Sequence, residues 1–119
     1  MMDIGFQNLS RLMASGKPIR VMVLDTQVYS NTGGQACTSG FTGQVADMSA
    51  WGKAVHGKTE VRKELAFIAM AHRGVFVHQT SQASASHLIQ GVIKGLNARR
   101  PSLSKTAPLT ESCTSCYQA

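Results

Sequence analysis

Acidic side chains, cysteine and aromatic rings are all scarce in this 119-residue sequence, and each shortage narrows the field. Six Asp and Glu stand against twelve Lys and Arg, a net charge of +6. The expected partners are therefore anionic: a phosphate-bearing cofactor, nucleic acid or an acidic protein. One Trp, two Tyr and four Phe are too few for a base-stacking platform, and the basic residues gather only at Lys58, Arg62, Lys63 and at Arg99, Arg100. Nucleic acid is not the expected partner. The three cysteines, Cys37, Cys113 and Cys116, are an odd number in a chain without a secretory signal, which argues against a disulfide framework. "CTSC" at 113–116 has metal-pair spacing, but structural zinc needs two further ligands, and no second cysteine pair or closely spaced histidine pair accompanies it. No apolar run reaches the roughly 18 residues of a membrane span. The start "MMDIGFQNLSRL" lacks a basic region followed by an apolar one. A cytoplasmic chain without a span or signal peptide is the expectation.

Apolar residues make up 43% of the chain, enough to bury a core in one domain or part of one. In "IGFQNLSRLM" (4–13), Ile4, Phe6, Leu9, Leu12 and Met13 recur at helical spacing before the stop signal "ASGKP". "IRVMVLDT" (19–26) is short, apolar and β-branched, and reads as a buried strand. Between Ala36 and Thr59 no period stands out, although "GQVADMSAW" could form a helical turn. Thr59 is placed to cap a helix over "EVRKELAFIAMAH", with Val61, Leu65, Ile68 and Ala71 or His72 on one face. "GVFVHQT" (74–80) is a second strand. Ser84 then starts a helix with Ala85, Leu88, Ile89, Val92, Ile93 and Leu96 as its expected buried stripe. Two strands joined through a helix make a right-handed parallel βαβ unit, hence an α/β fold with parallel strands and flanking helices. From Ser104 onward the composition turns polar and reads as a tail.

Several constellations invite chemistry. "GKAVHGKT" (52–59) satisfies the Walker A pattern letter for letter, and a P-loop nucleotide-binding module using Lys58 and Thr59 is one alternative reading. Its mechanism needs a strand directly before the first glycine, and "TGQVADMSAW" does not supply one. His56, His72, His78 and His87 have no supporting partner at a telling spacing, and no G-x-S-x-G elbow marks a hydrolase. The richer feature is "VLDTQVYSNTGGQ" (23–35), where a strand breaks into a loop of hydroxyls, amides and two glycines. Ligands in parallel sheets bind beyond the carboxyl ends of strands. Hard oxygen donors of this kind suit Mg²⁺ bridged to phosphate. A plain β-to-α connection is the simpler reading, and a non-catalytic interaction fragment with a basic surface is a third.

"LDTQVYSNTGGQ", with upstream "DIGFQNLSRLMASGKPIRVMV" and downstream "TGQVADMSAWGKAV", closely resembles the thiamine-diphosphate-binding domain of pyruvate:ferredoxin (flavodoxin) oxidoreductases. The resemblance runs from about Asp3 to Leu103. It implies an incomplete thiamine-diphosphate-binding fold over residues 1–103, followed by a divergent polar tail at 104–119. It also implies oxidative decarboxylation of pyruvate to acetyl-coenzyme A, with electrons passed through iron–sulfur clusters of the full-length parent to ferredoxin or flavodoxin. By the same resemblance Thr26 and Val28 would ligate Mg²⁺, through hydroxyl and main-chain carbonyl. Asn31, Thr32, Gly33 and Gly34 would line the diphosphate and the thiazolium side. Asp25 would fix the strand end.

Where the family places a "GDG" metal-binding motif, this sequence reads "MM". No cluster-binding cysteine set and no pyrimidine-gripping partner domain are recognised, and no catalytic residue is assigned. The expectation is a fragment that is inactive alone. It would work only with the remaining domains of a parent that is itself a homodimer.

Overall fold

In the computed structural model the described residues are 2–46 and 57–107, together with the backbone of 116–118. The chain divides into two compact units: Gly5–Asp25 with the described residues from Leu65 onward, and Met2–Ile4 with Thr26–Glu64. Among the described residues no helix is long and apolar enough to cross a membrane.

The first unit is α/β. Helix α1 (Phe6–Ala14) starts from Gly5 in a left-handed conformation and buries Leu9 and Met13. Strands β1 (Arg20–Leu24), β4 (Phe76–Ser81), β5 (Ser102–Ala107) and β6 (Cys116–Gln118) form one sheet in the order β1-β5-β4-β6. The first three are parallel, and β6 runs antiparallel to β4. The expected pair of parallel strands, β1 and β4, is present, but the two are not neighbours. Between them lies β5, which pairs with β4 along its whole length and with β1 from Ser102 to Thr106.

The expected polar tail therefore does not hold at 104–107, and β6 adds a further strand beyond it. "SLSKTA" carries a weak apolar signal, yet Leu103 and Ala107 are buried and so is every other residue of β5. Two parallel ladders saturate its backbone, which polar side chains do not prevent. Lys105 is accommodated by an ion pair: its Nζ lies 3.3 Å from Asp25 Oδ2, both side chains buried. The Asp25 amide donates to Thr106 O at 2.9 Å.

Helix α3 (Ala85–Asn97) begins at Ser84 as expected, although that side chain makes no capping bond. Its buried face is not the expected stripe. Gly91 and Gly95 face the sheet, while Ile89, Ile93 and Leu96 are more than half exposed. A Cβ on Gly91 would stand 2.0 Å from His78 Nε2, and one on Gly95 3.2 Å from Ser104 Oγ. The glycines let the helix backbone seat directly on β4 and β5, turning the aliphatic residues outward. Arg20 on β1 donates from Nε to Leu96 O (3.0 Å) and from Nη2 to Ala98 O (2.9 Å). It thus satisfies carbonyls that the end of a helix leaves open.

Helix α2 spans only Leu65–Met70, and the expected start at Thr59 is not seen. The preceding backbone is committed elsewhere in its own unit. Gly43 N donates to Lys58 O (2.7 Å), Lys58 N to Gln44 O (3.0 Å) and Lys63 N to Thr38 O (2.8 Å). Such bonds compete with helical ones for the same donors. The helical turn expected within "GQVADMSAW" falls mostly outside the described residues.

Candidate functional site

The second unit contains the quoted loop, which is a hairpin and not a plain strand-to-helix connection. Strands β2 (Val28–Tyr29) and β3 (Gln35–Ala36) pair antiparallel, Val28 with Ala36 and Tyr29 with Gln35. Between them Ser30–Thr32 makes a 3₁₀ turn, and Gly33 (φ 112°) and Gly34 (φ 83°) close it in left-handed conformations. A side chain at either glycine would be strained, which explains the "GG". The Gly34 amide donates to Tyr29 O at 3.0 Å. Thr32 Oγ1 donates to Gln35 Oε1 at 2.5 Å, and Gln35 Nε2 returns a bond to Thr32 O at 2.7 Å.

Two open cavities flank this hairpin. One, about 510 Å³, is lined by Val28, Ser30, Gly33, Gly34, Gln44 and Val45 among others. The other, about 360 Å³, is lined by Thr26, Val28, Tyr29, Ser30, Asn31 and Thr32. Of the six residues expected to form the site, Gly33 and Gly34 line the first hollow, Thr26, Asn31 and Thr32 the second, and Val28 both; Ser30, outside that set, also lines both. Each hollow is within the range of cofactor pockets, roughly 300–1,000 Å³.

At the loop entrance Thr26 Oγ1 donates to Val28 O at 2.9 Å. Gln27 between them has φ 62°, a conformation rare outside glycine and costly for a side chain of this kind. That backbone turn is what aims the Val28 carbonyl at the Thr26 hydroxyl. A separation of 2.9 Å is that of an ordinary O–H···O hydrogen bond.

Polar clips that were not legible in the sequence hold the hairpin. Tyr29 donates from its phenol to Asp3 Oδ2 at 2.9 Å, Thr38 donates its amide to the same oxygen at 3.2 Å, and the Thr38 hydroxyl donates to Asp3 Oδ1. Burial pushes the Asp3 carboxyl upward, but the bonds from Thr38 and Tyr29 and the Lys63 charge outweigh it and hold the group below its ordinary range. The Tyr29 phenol is pushed up to about 12 by burial first, then by its bond to Asp3 and the nearby carboxylate charge. Lys58, itself buried, donates to Thr38 O (3.1 Å) and Gly40 O (2.7 Å). No regular spacing links Asp3, Tyr29, Thr38 and Lys58.

These contacts bear on the other readings. Residues 52–56 of the Walker-like string lie outside the described residues. Lys58 spends its ammonium on main-chain carbonyls, and no helix starts at Thr59; the next begins at Leu65. The basic cluster at 58–63 is likewise engaged: Arg62 lies 4.6 Å over the Phe41 ring and 2.8 Å from Glu64, and Lys63 Nζ donates to Met2 O at 2.5 Å. In the first unit His72 bonds Ser10 Oγ (2.9 Å) and Ile68 O (3.0 Å), and His87 bonds Thr80 Oγ1 (3.1 Å). Among the described residues no three His, Cys, Asp or Glu side chains gather as a metal cluster.

No family model matches the chain. Individual relatives do. It is 40% identical over 102 residues to the pyruvate:ferredoxin oxidoreductase of Moorella thermoacetica, which is 85% of this chain and 8% of that protein. It is 36% identical over 102 residues to the pyruvate-flavodoxin oxidoreductase of Rhodospirillum rubrum, again 85% of this chain and 8% of the relative. To the mitochondrial pyruvate dehydrogenase [NADP(+)] of Euglena gracilis it is 37% identical over 101 residues, 85% of this chain and 5% of that protein. The chain thus spans less than a tenth of the length of these relatives.

Proposed function

From a chain that belongs, as a short segment, with the pyruvate:ferredoxin and pyruvate-flavodoxin oxidoreductases, we propose that its Thr26–Gly34 loop is one side of a thiamine diphosphate–Mg²⁺ site. The observation that carries this reading is the 2.9 Å pairing of the Thr26 hydroxyl with the Val28 carbonyl, fixed by the left-handed Gln27 between them. Thr26 and Val28 would hold the cation. Asn31, Thr32, Gly33 and Gly34 would receive the diphosphate, the two glycines permitting close approach of backbone amides. The net positive charge of the chain favours such an anion. When bound, thiamine diphosphate supplies the carbanion-stabilising centre that decarboxylation of a 2-oxo acid requires.

In the longer proteins this loop would serve oxidation of pyruvate to acetyl-coenzyme A with reduction of ferredoxin or flavodoxin, beside iron–sulfur clusters held by other domains. The 119-residue chain alone is expected to turn over little or no substrate. The protein donors at the loop entrance are neutral oxygens, so this side of the site would rely on the diphosphate for the charge that holds the cation.

Isothermal titration of the whole chain with thiamine diphosphate, with and without Mg²⁺, tests the reading. Binding that needs Mg²⁺ and is weakened by Thr26→Val and by Asn31→Ala is the expected result. ATP binding abolished by Lys58→Ala and untouched by Asn31→Ala would overturn it in favour of the P-loop alternative. Salt-sensitive binding of an acidic protein without Mg²⁺ dependence, and no cofactor binding, would favour the interaction fragment.

A further inference from the structure

The Ser30–Gly34 turn sits on a hairpin of only two residue pairs, Val28 with Ala36 and Tyr29 with Gln35. An isolated two-stranded hairpin is marginal at best, even when longer, so something else must hold this turn in one shape. The candidate is a carboxylate remote in sequence. Asp3 receives the Tyr29 hydroxyl on one oxygen together with the Thr38 amide, and the Thr38 hydroxyl on the other. Tyr29 directly precedes the turn, and Thr38 follows β3 by two residues. One charged group therefore bridges the way in and the way out.

The surroundings are arranged for this. Thr38 is held from its other side, its carbonyl accepting from the Lys63 amide (2.8 Å) and from Lys58 Nζ (3.1 Å). Lys63 also reaches back to Met2 O at 2.5 Å, anchoring the backbone beside Asp3. Bonds to an ionised carboxylate are about twice as strong as neutral ones. Three of its roughly four acceptor positions are occupied, which fits a clamp better than a metal ligand.

We propose that Asp3 is the positioning residue of the Ser30–Gly34 turn, clamping both ends of its hairpin through Tyr29 and Thr38. Its value to a ligand rests on the cofactor reading above; its effect on the loop does not. Asp3→Asn keeps the size of the side chain and removes its charge and one acceptor. Hydrogen exchange followed by mass spectrometry on the full chain should then show residues 30–34 exchanging several-fold faster, with β4 and β5 unchanged. Thiamine diphosphate affinity in Mg²⁺ should fall about tenfold, the scale for losing a group that orients a ligand-binding residue.

Unchanged exchange at 30–34 in Asp3→Asn overturns the clamp. A loosened turn that binds cofactor as tightly as the parent chain supports the clamp and overturns its value to the ligand. If the parent chain binds no cofactor, the functional reading fails while the exchange result still decides the clamp. If Asp3→Asn unfolds β4 and β5 as well, Tyr29→Phe and Thr38→Val, which each cut one arm, decide it: faster exchange at 30–34 alone supports it, and none in either variant refutes it.

Discussion

In the unit built on β1, β5 and β4, continuous parallel ladders and buried Leu, Val and Phe side chains hold the backbone. In the unit spanning Thr26–Glu64 the regular pairing amounts to two residues per strand, and side chains reaching main-chain carbonyls do the work of a sheet. Asp3, Lys58 and Lys63 each tie together segments far apart in sequence. The difference shows how a loop can be held by polar side chains where a sheet is not available. Polar clips from Asp3 and Lys58 fix the ends of the hairpin, and the Ser30–Gly34 turn is closed by its own short bonds.

The largest test of the contrast lies in the sheet. Lys105→Met leaves the buried Asp25 carboxylate without its ammonium and is expected to destabilise the first unit by about 3–5 kcal/mol. Adding Asp25→Asn should recover part of that loss in denaturant titration. Next comes Gly91→Ala, whose new methyl would stand 2.0 Å from the His78 ring. Overpacking of this kind costs about 1–3 kcal/mol, and a calorimetric scan with no drop in Tm would mean that α3 does not rest on β4 through its glycines. Gly33→Ala should behave in the opposite manner. It forces a side chain into a left-handed conformation at a cost of about 1–2 kcal/mol, felt at the turn as weaker cofactor binding with little change in exchange at β4 and β5.

The smallest expected effect separates the units by pH. His78 is buried, and burial, then the charges of His87 and Lys94, hold its pKa below the usual histidine range. Its contribution is therefore present above the unfolded value, about 6.5, and is lost as pH falls from there toward the folded value. The Tyr29 phenol works the other way. Raised to about 12, its contribution is intact below the unfolded value, about 10, and is lost between there and about 12. Acid should thus loosen β4 first and alkali the hairpin first, as read by residue-resolved exchange. His78→Leu should remove the acid step at β4 and leave the alkaline one.

Much of the architecture was legible because its signals are local. Helix α1 begins two residues later than expected, β1 lies within 19–26, and α3 covers nearly the expected span. In each case apolar periodicity with a Gly, Pro or Ser boundary is a property of neighbouring residues. What failed depended on distant partners. "SLSKTA" reads as a polar tail until β1 and β4 supply ladders on both sides and Asp25 meets Lys105. The stripe Ile89, Ile93 and Leu96 reads as buried until the close fit of Gly91 on His78 turns it outward. Residues 60–64 read as helix until Thr38 takes the Lys63 amide.

The same division runs through the candidate site. The string "DTQVYSNTGGQ" by itself determined which oxygens and glycines are available and that they follow a strand, because composition and backbone permissiveness belong to the residues themselves. Tertiary structure decided that the loop is a hairpin, that its residues divide between two hollows, and that Asp3 holds it. Those outcomes follow from hydrogen bonds between residues 20 to 61 positions apart, whose pairing leaves no periodic trace in the chain.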